Sequence, residues 1–262
     1  MNILVLLKPV SQLQFADTLK DTDVRLEGGH LAINPADLYA LELALRVKDK
    51  VDGVLVTAMT MGPAASEGEL RQALAMGADR AILLEDKRLA GSDTLATART
   101  LAAAMEKLPK QELILCGKKA IDSETGYIGP QLAQLLGYAL ATNVTEFSVQ
   151  ENEVIVTCLR DTAVSEYRGH FPAVLTICNG VTMVRVPTLM ALRRSKDKCV
   201  EKVTLDDMNL IADMVGISGS MTRVVQVENA EFRKGSGRKI TDITDGIKEI
   251  LSILREEVHV DE

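Results

Sequence analysis

The chain has 262 residues, 47% hydrophobic and 26% charged, with a net charge of −7, enough for an ordinary globular protein with a sizeable core. The acidic balance, 3% aromatic content and absence of Trp exclude a protein built to grip a phosphate backbone or stack single-stranded bases. Four single cysteines (Cys116, Cys158, Cys178, Cys199), no CxxC, no signal peptide and no apolar run near the ~20 residues that span a bilayer predict a cytoplasmic setting and no membrane insertion, with inert thiols at the three cysteines in apolar strand-like runs.

Residues 2–7 form a continuous apolar run, the pattern of a central parallel strand covered on both faces, closing at Lys8-Pro9-Val10. Residues 11–30, polar and carrying Gly28-Gly29, predict an excursion with short antiparallel strands. Ile33-Asn34-Pro35-Ala36-Asp37 opens a helix through Leu38, Leu41, Leu45 and Val47, capped by Asn34 or Asp37, with Asn34 equally open to a ligand contact. A strand at 53–59 ends in Thr60-Met61-Gly62-Pro63, and a helix at 65–76 leads through Gly77-Ala78-Asp79-Arg80 to a strand at 81–84. A helix over 93–107, with Leu95, Ala98, Leu101, Ala102 and Met105 on one face, precedes a strand at 113–116.

Residues 112–135 are the stretch around which the chain is organised. The apolar run ends at Gly117, a loop of small and polar residues comes next, and Pro130 opens a helix with Leu132, Ala133, Leu135 and Leu136. In an open parallel sheet, ligands sit beyond the carboxyl ends of strands, and a helix N-terminus there offers N–H groups to an anion. A nucleotide phosphate is the expected guest.

Strand-like runs come at 147–150, 154–159 and 173–178, the first two as a hairpin across Glu151-Asn152-Glu153. The fold class is therefore α/β, a mostly parallel doubly wound sheet with an antiparallel edge. After 182 come Pro187 to Leu192, the charged run Arg193 to Lys198, read as a solvated face, a short strand near Val203, an extended arm over 215–240 and an amphipathic helix at 242–258. The expected division is a nucleotide-binding domain, 1–198, and a C-terminal arm and helix, 199–262.

No GxGxxG or GxxxxGK[ST] is present, nor a GxSxG elbow, and His30, His170 and His259 have no partner at metal-ligand spacing. What remains is the loop after 116. There Gly126 and Gly129 allow close backbone approach, and Ser123 and Thr125 can donate to phosphate oxygens. Asp122 suits a ribose hydroxyl or a backbone cap, while Lys118 and Lys119 either offset ligand charge or face water.

Four blocks carry a resemblance: Val5-Leu6-Leu7-Lys8-Pro9-Val10, Ile33 to Glu42, Leu70 to Arg80 (LRQALAMGADR) and Gly117-Lys118-Lys119-Ala120-Ile121-Asp122. In these the chain resembles electron transfer flavoprotein beta subunits over nearly its whole length. The resemblance implies a Rossmann-like fold of the adenine nucleotide alpha hydrolase kind, paired with an alpha subunit that carries the redox flavin, and no catalytic side chain in this subunit. It implies a nucleotide held by Leu6, Asn34, Pro35, Ala36, Asp37, Met61 and the loop Gly117, Lys118, Lys119, Ala120, Ile121, Asp122, Ser123, Glu124, Thr125, Gly126, Tyr127 and Ile128.

That nucleotide is AMP in simple carriers and a second FAD in members that bifurcate electrons from NADH. Ile128-Gly129-Pro130-Gln131 and Asp37-Leu38-Tyr39-Ala40 look closer to the bifurcating branch, so FAD is favoured, with NAD as a transient substrate and ferredoxin as a possible acceptor. Val184 to Leu189 resembles a recognition loop that docks on a flavin-dependent dehydrogenase through Leu189, with the arm and last helix embracing the alpha subunit. Two stretches depart from the family pattern: Arg160 to Glu166, and Leu13 where an aromatic residue meets the alpha-subunit flavin. They point to a lactate-type or unusual acyl-CoA dehydrogenase as partner. A nucleotide-sensing module similar to universal stress proteins is the rival reading.

Overall fold

The structure, a computed structural model, describes residues 1–11, 31–225 and 240–257. Contacts divide the chain into two units, Met1–Gln226 and Val227–Glu262. The first is built on β1 (Asn2–Leu6), β4 (Leu55–Met61), β5 (Arg80–Leu84), β6 (Leu113–Gly117), β7 (Ala139–Gln150), β8 (Glu153–Leu159), β9 (Val164–His170), β10 (Ala173–Ile177) and β11 (Glu201–Val203). They form one nine-stranded sheet in the order β11-β5-β4-β1-β6-β10-β7-β8-β9. Pairing is parallel from β11 through β7 and antiparallel for β7-β8 and β8-β9, the α/β sheet with an antiparallel edge that the sequence predicts.

Both faces of the parallel part are dry, which is why its strands are continuous apolar runs. Ile3 and Val5 of β1 pack toward Leu41 and Leu45 of α1 (Pro35–Lys50) and Leu70 and Leu74 of α2 (Glu67–Met76). Leu4 and Leu6 face Leu101 and Met105 of α3 (Thr94–Met105) and Leu132 and Ala133 of α4 (Ile128–Leu136). The helices thus wind on both faces. From β1 the chain proceeds outward through β4 and β5, then returns through α3 to place β6 on β1's other side. Beyond the carboxyl ends of β1 and β6, where the winding reverses, an open crevice is a geometric necessity.

β2 (Pro9–Ser11) and β3 (Leu31–Ile33) form a separate antiparallel pair. Of the excursion predicted at 11–30, residues 12–30, with Gly28-Gly29, His30 and Leu13, lie outside the described residues, as do 226–239 of the arm and His259.

Several elements differ from the sequence expectation. β7 is twelve residues long because it serves two partners: Ala139–Ala141 pair parallel with β10, and Val144–Gln150 pair antiparallel with β8. The register shifts between these halves, where Asn143 takes a positive φ of 58°. β9 begins inside the stretch where the family pattern is lost, and α5 (Leu189–Ser195) takes in the first half of what reads as a mere charged run. α6 (Gly216–Gly219) interrupts the expected arm, while α7 (Ile243–Glu257) matches the expected last helix.

Gly129, buried in the first turn of α4, is where the helix presses hardest on the sheet: an added Cβ would collide with Thr176 Cγ2 on β10 and lie 3.1 Å from Cys116 Sγ on β6. Gly129→Ala is therefore expected to cost about 1–3 kcal/mol through overpacking, while Gly68→Ala on α2, whose Cβ would meet nothing within 4 Å, is neutral or gains up to about 1 kcal/mol. Calorimetric midpoints moving in opposite directions for the two variants check this.

Candidate functional site

The crevice is held together by one carboxylate. Asp37, at the third position of α1, is 5% exposed and sends its side chain across the crevice instead of back to its own helix. Its Oδ2 accepts the main-chain N–H of Lys8, just past β1, at 2.8 Å, and its Oδ1 accepts that of Gly117, the last residue of β6, at 2.7 Å. Two adjacent strand ends are thus fastened to one helix N-terminus. Only glycine fits at 117, since a Cβ there would lie 2.5 Å from both Ala36 Cβ and Asp37 Oδ1.

Asn34 occupies the N-cap position of α1 and makes no side-chain cap. Its Nδ2 donates to Lys119 O at 3.1 Å and its Oδ1 accepts from Ile121 N at 3.2 Å, while its own main-chain N–H donates to Lys8 O at 2.9 Å. The capping expected of Asn34 or Asp37 is corrected accordingly: both side chains are drawn away to build the crevice, the one pinning the loop after β6 and the other the strand ends. Pro35 supplies the first helical position, where a missing N–H costs nothing.

Charge in the loop is largely matched. Lys8 pairs with Asp122 at 2.6 Å, and Lys119 with Glu124 at 2.8 Å, so the partner of Asp122 within the chain is a lysine and not a backbone cap, the ribose hydroxyl being the other partner its chemistry suits. Lys118 is exposed, as are Ser123, Thr125, Ile121 and Tyr127. Glu124 (φ 51°) and Gly126 (φ 70°) are both left-handed, which bends the loop back so that a Cβ on Gly126 would sit 3.2 Å from Lys118 O. The loop runs into α4, which has no side-chain cap. The main-chain N–H groups of Ile128 and Gly129, in the first turn, have no acceptor within the helix, and the Oε1 of Gln131 is buried without a partner, its amide nitrogen donating to Thr94 Oγ1 at 3.2 Å.

Leu6 is buried at the end of β1, and Met61 ends the neighbouring β4. The hydroxyls of Thr60 and Ser66 near Met61 are likewise buried without partners, positions the sequence does not single out because nothing in their spacing marks them. Leu6, Asn34 to Asp37, Met61 and the start of the 117–128 loop are therefore gathered at one end of the sheet. Two cavities, of about 370 and 260 Å³, lie away from it, one between β7 and the β8–β9 edge and the other beneath α3 and α4. Among the described residues no cluster of His, Cys, Asp and Glu could hold a metal ion.

Burial pushes the Asp37 carboxyl up to about 6 against the opposing pull of the Lys8 and Gly117 N–H groups. The Cys116 thiol beside it is pushed up by burial and then by the Asp37 charge, which removes it as a nucleophile. Among the described residues the crevice offers main-chain donors, hydroxyls and an aromatic ring to bind with.

An electron transfer flavoprotein domain model matches residues 24–208. The chain is 35% identical to the electron transfer flavoprotein subunit beta of Thermoanaerobacterium thermosaccharolyticum, covering 97% of this chain and 98% of that protein, and 37% identical to that of Megasphaera elsdenii over 90% of each. The chain belongs to the electron transfer flavoprotein beta-subunit family. It is also 35% identical to the caffeyl-CoA reductase-Etf complex subunit CarD of Acetobacterium woodii, over 93% of each chain.

In this flavoprotein subunit the most distinctive block, Leu70 to Arg80, turns out to be framework. Leu70, Ala73 and Leu74 are core, Gly77 ends α2 at φ 131°, Asp79 accepts from Val56 N and Lys48 Nζ, and Arg80 forms a two-pronged pair with Glu201. No helix of the described residues is long and apolar enough to cross a membrane.

Asp37 titration is directly measurable. Its folded value near 6 lies above its ordinary 3.8, so between about pH 4 and 6 the folded chain keeps a proton that the unfolded chain has lost. The contribution of this group to stability falls as pH rises through that window and is flat above it. A carboxyl carbon resonance of Asp37 titrating with a midpoint near 6, absent in Asp37→Asn, is the expected result; a midpoint below 4 would contradict it.

Proposed function

We propose that this subunit binds an adenine nucleotide in the crevice between β1 and β6, pairs with an alpha-type subunit and carries electrons to or from a flavin-dependent dehydrogenase. The observation that carries the reading is the double grip of Asp37 on Lys8 N and Gly117 N, which fixes the floor and the loop of the crevice as one rigid piece. A site that binds by main chain must hold its main chain still.

The residues fit a nucleotide. Unpaired N–H groups at the head of α4 and the exposed hydroxyls of Ser123 and Thr125 suit phosphate oxygens, the buried unpartnered Oε1 of Gln131 needs a donor, and Leu6 and Met61 offer apolar contact to a ring. With Asp122 and Glu124 already paired to lysines, the loop presents little bare negative charge to repel phosphate. We favour FAD over AMP, from the resemblance of Asp37 to Ala40 and Ile128 to Gln131 to the bifurcating branch. A bound flavin would supply all the redox chemistry, with NADH as hydride donor and ferredoxin as a low-potential acceptor. The chain's own part is to bind, orient and exclude water.

For the dehydrogenase, the docking surface is the segment leading into α5. Met183, Val186 and Leu189 are each at least 85% exposed, beside the cations Arg193 and Arg194. A few desolvated apolar anchors with a charged rim suit a short-lived contact. The name of the Acetobacterium relative, a caffeyl-CoA reductase complex subunit, supports a partner acting on CoA thioesters. The arm is assigned to the alpha-type subunit because Ile243, Ile247, Ile250, Leu251 and Leu254 line one side of α7 and are exposed.

Chromatography of nucleotides released from the denatured two-subunit complex tests the reading. Two FAD per heterodimer is the expected result; one FAD with one AMP would make the protein a simple carrier, and no nucleotide assignable to this chain would overturn the proposal. Asp37→Asn, which turns one acceptor into a donor facing an N–H, is expected to reduce the nucleotide retained by this subunit at least severalfold, since an unmatched buried polar contact costs about 1–3 kcal/mol.

A further inference from the structure

α5 is seven residues long, too short to hold itself together in water, yet it carries the most exposed apolar side chain of the helix and its cap, Leu189. Its N-terminus has its own cap, Thr188 Oγ1 accepting from Ala191 N at 3.1 Å. Its C-terminus is held from outside. Nη1 of Arg71, on α2, donates to the carbonyls of Ser195, the last residue of α5, of Lys196 at its C-cap and of Lys198 just beyond, at 2.9, 3.1 and 3.3 Å. The fork is aimed by Glu67 one turn earlier, whose Oε1 accepts from Arg71 Nε and Nη2 at 2.9 and 2.6 Å.

A second clamp secures the other end of the segment. Glu42, buried in α1, accepts from Arg185 Nε at 2.9 Å and from Arg185 N at 3.1 Å, and Asp49 accepts from Arg185 Nη2 at 2.7 Å. Arg46 donates to Met183 O at 3.2 Å. The stretch from Met183 to Lys198 is therefore strapped to α1 at its start and to α2 at its end, with Met183, Val186, Leu189 and Met190 left pointing to solvent.

We propose that Arg71 is a positioning residue for partner docking: by holding three carbonyls at the end of α5 it presets the helix that presents Leu189, so that association with the dehydrogenase does not bear the cost of ordering it. This rests on the reading of Leu189 as the docking anchor.

The test uses the two-subunit complex with its nucleotides, a flavin-dependent acyl-CoA dehydrogenase reduced by its CoA thioester as electron donor, and a tetrazolium dye as final acceptor. Wild type, Leu189→Ala, Arg71→Met and the double variant are compared, with Arg71→Lys as the conservative control. Leu189→Ala and Arg71→Met are each expected to raise the KM for the flavoprotein about tenfold with kcat nearly unchanged, and the double variant to be no worse than about twofold beyond Leu189→Ala, because a residue that acts only by presenting Leu189 has nothing left to present. Arg71→Lys should fall between wild type and Arg71→Met. Amide hydrogen exchange across 189–198 should be at least about tenfold faster in Arg71→Met, with nucleotide content unchanged.

If Arg71→Met leaves KM at the wild-type value while Leu189→Ala raises it, or if the two effects multiply in the double variant, the proposal is wrong and the docking reading stands. If Leu189→Ala does nothing, or the wild-type complex takes no electrons from that dehydrogenase, the docking reading fails for this partner class and the proposal with it, whatever the exchange rates show.

Discussion

A carboxylate has two oxygens, and Asp37 spends them on two main-chain N–H groups that belong to different strands. This contact ties sequence to function because of where it sits. β1 and β6 are neighbours in the sheet, but the connections after them leave on opposite faces, so their carboxyl ends part and expose amides that no strand can satisfy. A helix that begins beside the gap with an aspartate in its first turn closes it from a third direction. The positive end of the same helix favours the charge it holds there.

α1 uses a second buried carboxylate five residues later, and the contrast between the two explains both. Burial is the largest influence on Asp37 and on Glu42 and pushes both upward. Asp37 stays high because its main-chain donors are neutral and Lys8 acts on it only weakly. Glu42 ends below its ordinary value because the Arg185 guanidinium and its main-chain N–H, with Arg46, outweigh burial. One helix thus builds the crevice from neutral donors and straps down the outer segment with a cation. The first arrangement surrounds its carboxyl with main-chain dipoles; the second matches it with a full opposite charge.

The same distinctions govern how much of the chain is legible before it folds. Strands buried on both faces declare themselves as apolar runs, so β1, β4, β6 and β10 are readable in the sequence, as are helices with a full apolar stripe. β9 is not, since Val164 and Tyr167 are exposed in a strand otherwise made of Ser165, Glu166, Arg168, Gly169 and His170. α5 is hidden for a different reason: beside its local cap at Thr188, its C-terminal carbonyls are held by Arg71, more than a hundred residues away in sequence. The polar residues of the crevice stand out in the sequence but suggest local jobs, because a cap is what Asn34 and Asp37 do when only neighbours along the chain are considered. Their true partners, Lys8, Gly117, Lys119 and Ile121, are long-range and invisible without the fold.

The same physics separates the positions the fold holds fixed from those it leaves free. Leu70 to Arg80, one of the blocks that carry the family resemblance, serves the frame: it packs α2, ends it at Gly77, anchors β4 through Asp79, fixes β11 through Arg80 and grips α5 through Arg71. Every one of these contacts is buried or multiply bonded, so each position tolerates little change. Ser123, Glu124, Thr125 and Tyr127 are exposed, and their replacement disturbs no core contact. A loop of exposed side chains hung from such a frame can vary at small cost in stability. The frame includes Asp37 and Gly117 as well as Leu70 to Arg80, so the residues that build the crevice are held as firmly as the core, and latitude is confined to the side chains that the frame leaves unconstrained.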